Sequence, residues 1–206
     1  MGLLQERIQT AEIYNLALPG ATAKEDLAVQ LTSLRVLWSR KNTSIDFPLD
    51  PERTTYFSFL DVNDCGRTDV DGLEPIVDTI FDAAHDLYVK AGAMNFVFID
   101  VPPIHRSPQA VEAGSSDTIA ERVEAWNDLL RAQAAEFGDR YKQATTLLLS
   151  SHRVLTEVLD DPAAFDLAEE DVDTAGGGIW EEDLHLTEHM HTILAERLLA
   201  SLLPST

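Results

Sequence analysis

Three short segments hold residues whose types and spacing suit acyl-transfer chemistry. Between Ile179 and His191 the chain reads IWEEDLHLTEHMH. His185 follows two acids, Glu182 and Asp183. A histidine acting as general base needs its second ring nitrogen held by a carboxylate. An acid three residues back on a turn can do that, and both acids are placed to compete for it. The plain alternative is a surface histidine in an acidic loop. The second segment, Phe59 to Thr68, reads FLDVNDCGRT. Asn63 leaves a strand end there, where a side-chain amide can point at a developing oxyanion. The alternative is that Asn-Asp-x-Gly is a simple turn. The third, Asn15 to Leu27, sets Gly20 between a strand and a helix, with a backbone N–H free to donate. The alternative is a plain connection.

Two other chemistries are open at the same residues. His185, His189 and His191 with Glu188 have His-x-x-x-His-x-His spacing, which could hold a metal if a helix began early enough to align the first two. His191 falls off that face, and no Cys or separate segment supplies a further ligand. Cys65 is the one thiol, but the acids around it should raise its pKa and leave little thiolate. Ser58 is in mid-strand. Ser151 is adjacent to His152, and neighbours in sequence rarely reach a productive serine–histidine geometry.

These segments need a scaffold, and the hydrophobic pattern supplies one. Ile13 to Leu18 reads as a short strand ending at Pro19-Gly20. A helix follows with Leu27, Leu31, Leu34 and Trp38 on one face, then a polar loop from Lys41 to Arg53. Thr54 to Leu60 is a second strand. After a loop from Asp61 to Asp71 comes a helix marked by Leu73, Ile76, Ile80, Ala84, Leu87 and Ala91. Met94 to Val101 is a third strand, and the stretch from Pro102 to Asp117 reads as a long loop. Ile119, Val123, Trp126, Leu130 and Phe137 mark another helix, and Thr145 to Leu149 a fourth strand. Asp160 to Gly178 reads as a mobile loop. A last helix spans about Thr187 to Leu203, with Thr187 as N-cap and Met190, Ile193, Leu194, Leu198 and Leu202 inward.

Strands alternating with amphipathic helices predict an α/β domain with a parallel sheet. The strands are nearly continuous in apolar residues, as expected when both faces are covered. Ligands in such folds bind beyond the carboxyl ends of the strands. Gly20, Asn63 and the Ser150-Ser151-His152 run all fall at such ends.

The 206 residues are 45% hydrophobic, enough for one compact domain. Acids number 36 against 15 bases, a formal net charge of −21. Such a chain repels nucleic acid and anionic membrane surfaces and favours neutral or cationic ligands. Eleven of the acids lie between Val154 and Leu184, a stretch without Lys or Arg. One cysteine excludes an internal disulfide. No run approaches a membrane span, and Met1 to Thr10 lacks the pattern of a signal peptide.

Taken together, the segments resemble the SGNH/GDSL-type ester hydrolases. Asn15-Leu16-Ala17-Leu18-Pro19-Gly20-Ala21-Thr22 resembles the block that carries the oxyanion-hole glycine. Val62-Asn63-Asp64 resembles the block with the oxyanion-hole asparagine. Glu182 to His185 falls where the Asp-x-x-His block belongs. Val101-Pro102-Pro103 with Arg106-Ser107-Pro108, Trp126-Asn127, Asp161-Pro162 with Phe165, and Leu184-His185-Leu186-Thr187 with His191 resemble the fungal carbohydrate acetylesterase branch. The likeness runs from about Ile13 to the C-terminus and is carried by order and spacing.

The resemblance implies a single domain over residues 1–206. Its fold would be a three-layer α/β/α sandwich of flavodoxin-like kind. It also implies a serine in Gly-Asp-Ser that attacks an ester carbonyl, typically an acetyl ester on a sugar. His185 would take and return the proton, oriented by Glu182 or by Asp183. Gly20 and Asn63 would hold the oxyanion. The implied partner is a small-molecule or carbohydrate ester, with no cofactor, metal, nucleic acid or membrane. Similar proteins are often secreted. Three departures accompany it. No Gly-Asp-Ser occurs in the chain, so the first strand and its nucleophile are expected to be missing and activity impaired. Asp61 replaces the glycine of the asparagine block, where an inward carboxylate would oppose an oxyanion. Glu182 stands where the family has Asp. A binding protein on the same fold is the competing expectation.

Overall fold

A computed structural model describes residues 12–39, 49–60 and 62–202, with only the backbone described for Leu37, Trp38 and Ser39. Asp61 and most of the predicted loop from Lys41 therefore lie outside the described residues. The protein is α/β, with a three-stranded parallel sheet flanked by helices. The chain divides into two compact units. One comprises Leu16–Asp100 and Glu124–Leu148. Of the described residues, the other comprises 12–15, Val101–Val123 and 149–202.

The first unit holds the sheet. Its strands are β1 (Thr55–Ser58), β2 (Asn95–Ile99) and β3 (Thr145–Leu149), in the order β1-β2-β3. Tyr56 pairs in register with Phe96 and Phe57 with Val97. Side chains alternate between the two faces along each strand, so these two pairs lie on opposite sides of the sheet. Tyr56 stacks on Phe96 at 5.8 Å. Phe98 meets Phe81 at 4.6 Å, and Phe96 meets Phe137 edge-on at 5.2 Å. Phe81 belongs to α3 (Glu74–Ala91) and Phe137 to α5 (Ser116–Arg140), so one face of the sheet is packed by both crossover helices. Each such ring pair adds roughly 0.5–1.5 kcal/mol beyond its area. On the opposite face Val97 is 2% exposed, yet its register partner Phe57 is 48% exposed. Phe59 is also exposed.

α1 (Ala23–Ser39) buries Ala23 and Leu27, while Leu31 and Leu34 are only half-buried. α3 ends where Gly92 adopts φ +69°, with the N–H groups of Gly92 and Ala93 bonding back to Tyr88 and Leu87. A left-handed glycine is the usual way to satisfy the last carbonyls of a helix.

In the second unit, α6 (Ser151–Asp160) and α7 (Glu188–Leu202) contribute to one core. Val154, Leu155, Val158 and Leu159 of α6 cluster with Met190 and Ile193 of α7 and with the fully buried Ile179 and Trp180. Ser150 caps α6 by accepting from Arg153 N at 3.1 Å. The Arg106 guanidinium closes its other end on Asp160 and the Leu159 carbonyl. Thr187 caps α7 as expected, accepting from Met190 N.

Several expectations are corrected. Among the described residues Ile13–Leu18 forms no strand of the sheet; a strand is defined by its ladder and not by apolar composition alone. The loop expected from Asp61 begins, in its described part, with a helix, α2 (Val62–Arg67). The long loop after Pro102 contains α4 (Pro108–Glu112), capped by Ser107 accepting from Ala110 N. α6 was not expected at all. In α7 Leu202 is exposed and Leu199 is buried instead.

The acidic stretch before Gly178 is tied down by short helical turns at Pro162–Phe165 and Glu169–Val172. Asp171 supports it by accepting from Gly178 N and Ala168 N, each within 2.9 Å. No helix among the described residues is long and apolar enough to cross a membrane.

Candidate functional site

In the sheet-bearing unit, Asn63 of α2 reaches the turn that holds Gly20, at the neighbouring residue Ala21. Pro19-Gly20 turns the chain into α1, with Ala21 N bonding to Leu18 O at 3.2 Å. Gly20 has φ +72° and open space where a Cβ would stand. The glycine is thus required by backbone conformation and not by crowding. Its N–H makes no hydrogen bond among the described residues. Across the loop, Asn63 Nδ2 donates to the Ala21 carbonyl at 3.0 Å. That uses one N–H of the amide; the other makes no hydrogen bond among the described residues. The arrangement offers two neutral N–H donors, one from the backbone of the turn and one from a side chain at the start of α2. Donors of this kind stabilise a carbonyl oxygen as it gains charge.

The N-terminus of α1 is fully occupied. Thr22 Oγ1 accepts from Glu25 N, and Asp26 reaches back to Thr22 N at 2.9 Å. The next two donors, Ala23 N and Lys24 N, go to the Asp64 carboxylate at 2.7 and 3.3 Å. Asp64 is 1% exposed. Burial pushes its pKa up, against the two backbone N–H groups and Arg67, which pull it down. Reading the sequence places Asp64 beside Asn63 without a task. The only hint is its adjacency to Asn63, because the partner lies on another helix.

In the second unit, Glu182 and His185 meet at the tip of a tight turn. Trp180 bridges to Leu186, Glu181 N donates to His185 O at 2.8 Å, and Gln109 N donates to Asp183 O at 2.9 Å. The turn is rooted by Trp180, whose Nε1 donates to the Val172 carbonyl at 2.9 Å. His185 Nδ1 lies 3.1 Å from Glu182 Oε2, with both side chains well exposed. The carboxylate that reaches the imidazole is thus Glu182; the Asp183 side chain makes no such contact. With its proton on Nδ1 facing Glu182, the ring presents a basic Nε2.

The histidines of the metal alternative do not assemble. His189 Nε2 bonds to the Phe165 carbonyl at 3.1 Å, and no group of three or more His, Cys, Asp or Glu among the described residues could hold a metal ion. Of the other nucleophile candidates, Cys65 and Ser151 are both 0% exposed. Ser58 is half-buried within β1.

No protein-family model matches the chain. Among curated proteins, it is similar to one named acetylesterase from Thermothelomyces thermophilus. The two are 26% identical over 159 residues, covering 72% of this chain and 52% of that protein. The chain therefore spans about half the length of this curated relative, and its kinship with an esterase is distant.

Proposed function

We propose that this chain is an ester hydrolase of the SGNH/GDSL type, acting on carboxylic esters and in particular on acetyl groups carried by carbohydrate. The observation that supports this reading best is the meeting of the Gly20 turn with Asn63 of α2, where a backbone N–H without a hydrogen bond among the described residues lies next to the carbonyl that the Asn63 amide holds. The distant kinship with an acetylesterase points the same way.

In the proposed reaction Gly20 N–H and the Asn63 amide receive the oxygen of the ester carbonyl as it becomes an oxyanion. His185, held by Glu182, removes the proton from the attacking hydroxyl and returns it to the leaving alcohol. In the family that hydroxyl belongs to the serine of Gly-Asp-Ser, a motif that does not occur in these 206 residues. Without that serine, water takes the place of the attacking hydroxyl. Its oxygen bonds to the acyl carbon, its proton moves to His185, and collapse of the adduct expels the alcohol with that proton. Hydrolysis by this route is slow, because oxyanion stabilisation and binding act without covalent catalysis. A second reading is a binding protein on the same fold that recognises such esters without cleaving them.

The chain assayed on 4-nitrophenyl acetate and on an acetylated oligosaccharide separates the two. Hydrolysis above buffer that returns to the buffer rate with His185→Ala supports the first. Saturable binding of the oligosaccharide with no release of acetate supports the second. Hydrolysis that survives His185→Ala would overturn the assignment of the base.

A further inference from the structure

The geometry points to Asp64 as a positioning residue for the oxyanion pair, an inference that rests on the ester hydrolase reading above. Asn63 and Asp64 are consecutive on α2, and both side chains grip the loop that follows Gly20. Asn63 holds the Ala21 carbonyl at 3.0 Å. Asp64 holds Ala23 N at 2.7 Å and Lys24 N at 3.3 Å. The two grips have opposite polarity. The amide donates to a carbonyl on the near side of Thr22, and the carboxylate accepts from N–H groups on its far side. Such a pair resists both sliding and rotation of the loop, which a single hydrogen bond does not.

Gly20 has no side chain, lies in the left-handed region and is exposed. Nothing at Gly20 itself orients its N–H, so its direction is inherited from the residues that follow. Asp64 is the buried member of the pair, at 1% exposed. A buried carboxylate accepting two backbone N–H groups is a stiff anchor, since releasing it strands a charge and two donors together. The charged groups near it are Arg67 on its own helix and Asp26 on α1. Asp26 is engaged with Thr22 N, which leaves Asp64 as the link between α2 and the start of α1. An error of about 1 Å in the placement of a catalytic donor can cost ~10²-fold in rate.

Two readouts on the intact chain test this. The first is an NMR pH titration of the wild type, following the Asp64 carboxyl carbon, the Gly20 backbone amide and the Asn63 side-chain amide. Positioning requires all three to share one inflection. A helix cap with no further role would move only the Ala23 and Lys24 amides. The second is Asp64→Asn, which keeps the shape but turns one acceptor into a donor. Expected are displaced Gly20 and Asn63 resonances with His185 unshifted, and a kcat on 4-nitrophenyl acetate lowered ~10-fold or more with KM nearly unchanged.

Gly20 and Asn63 signals that ignore the Asp64 titration would overturn the inference while leaving the esterase reading intact. Coupled signals in a chain without hydrolysis would keep Asp64 as the organiser of this loop and remove the reaction. Should Asp64→Asn not fold, the wild-type titration decides alone.

Discussion

The rings of His105 and His152 stack with centroids 6.2 Å apart and planes 24° apart, and Nδ1 of His105 is buried without a hydrogen-bond partner among the described residues. Burial, with help from His152 and Arg106, holds the His105 imidazole below its ordinary pKa. The unfolded chain therefore takes up the proton first. The stability tied to the neutral ring is present above about pH 6.5 and is lost as pH falls through the lowered folded-state value. The urea midpoint should drop from about pH 7 to about pH 5, and His105→Gln should shrink that drop. His191 is also held low by burial, so the comparison between wild type and variant carries the test. An unchanged pH dependence in His105→Gln would rule out this imidazole.

Trp180 is expected to govern the turn that presents His185. It is fully buried and its Nε1 donates to Val172 O. Trp180→Ala should cost about 3–5 kcal/mol in denaturant unfolding. It should also broaden the Glu182 and His185 resonances, because the bridge from Trp180 to Leu186 closes their turn. A loss under ~1 kcal/mol would show that the core around α6 and α7 repacks without it.

Neighbouring glycines should respond differently to alanine. A Cβ at Gly178 would stand 2.6 Å from Leu167 Cδ2 and 2.8 Å from Asp171 Oδ2, whereas at Gly176 it would meet nothing within 4 Å. Gly178→Ala is expected to destabilise by about 1–3 kcal/mol through overpacking. It should also weaken the pairing of Asp171 with the Gly178 amide. Gly176→Ala suffers only from its φ of +77°. Thermal melts of the two variants check the difference in mechanism through Leu167→Ala, which should rescue Gly178→Ala and not Gly176→Ala.

The two acids before His185 should separate in function. Glu182→Gln removes the charge facing Nδ1 and should lower any His185-dependent hydrolysis by ~10-fold or more. Asp183→Asn should leave it within about twofold, since its carboxylate does not contact the ring. Equal losses in both variants would point to the general acidity of the loop in place of a specific pair.

At the sheet's edge, Phe57→Lys should be nearly neutral for stability, within about 0.5 kcal/mol, because Phe57 is already 48% exposed. The same change should reduce binding of a hydrophobic dye and aggregation on concentration, since an apolar edge strand is a template for pairing. A loss above ~2 kcal/mol would mean that the ring is covered in solution.

Short-range pattern alone made part of this protein legible in its sequence. Three strands, the helices carrying Leu73 to Ala91 and Ile119 to Phe137, and the Thr187 cap come from periodicity and capping within one element. So does an acid in reach of His185 on one turn, although the choice of Glu182 over Asp183 comes from the structure. The fold class came from the alternation of these elements.

Longer separations were decided only by the tertiary structure. Ile13–Leu18 has the composition of a strand but joins no ladder among the described residues, because pairing depends on a neighbour that composition cannot name. Val62–Arg67 is helical although Asn, Asp and Gly favour turns, and its Asn63 and Asp64 engage groups about forty residues earlier. Local propensity is worth tenths of a kcal/mol per residue, while a buried donor left unpaired costs about 1–3 kcal/mol. The first is written residue by residue. The second arises only once the chain has closed on itself, and it is the larger.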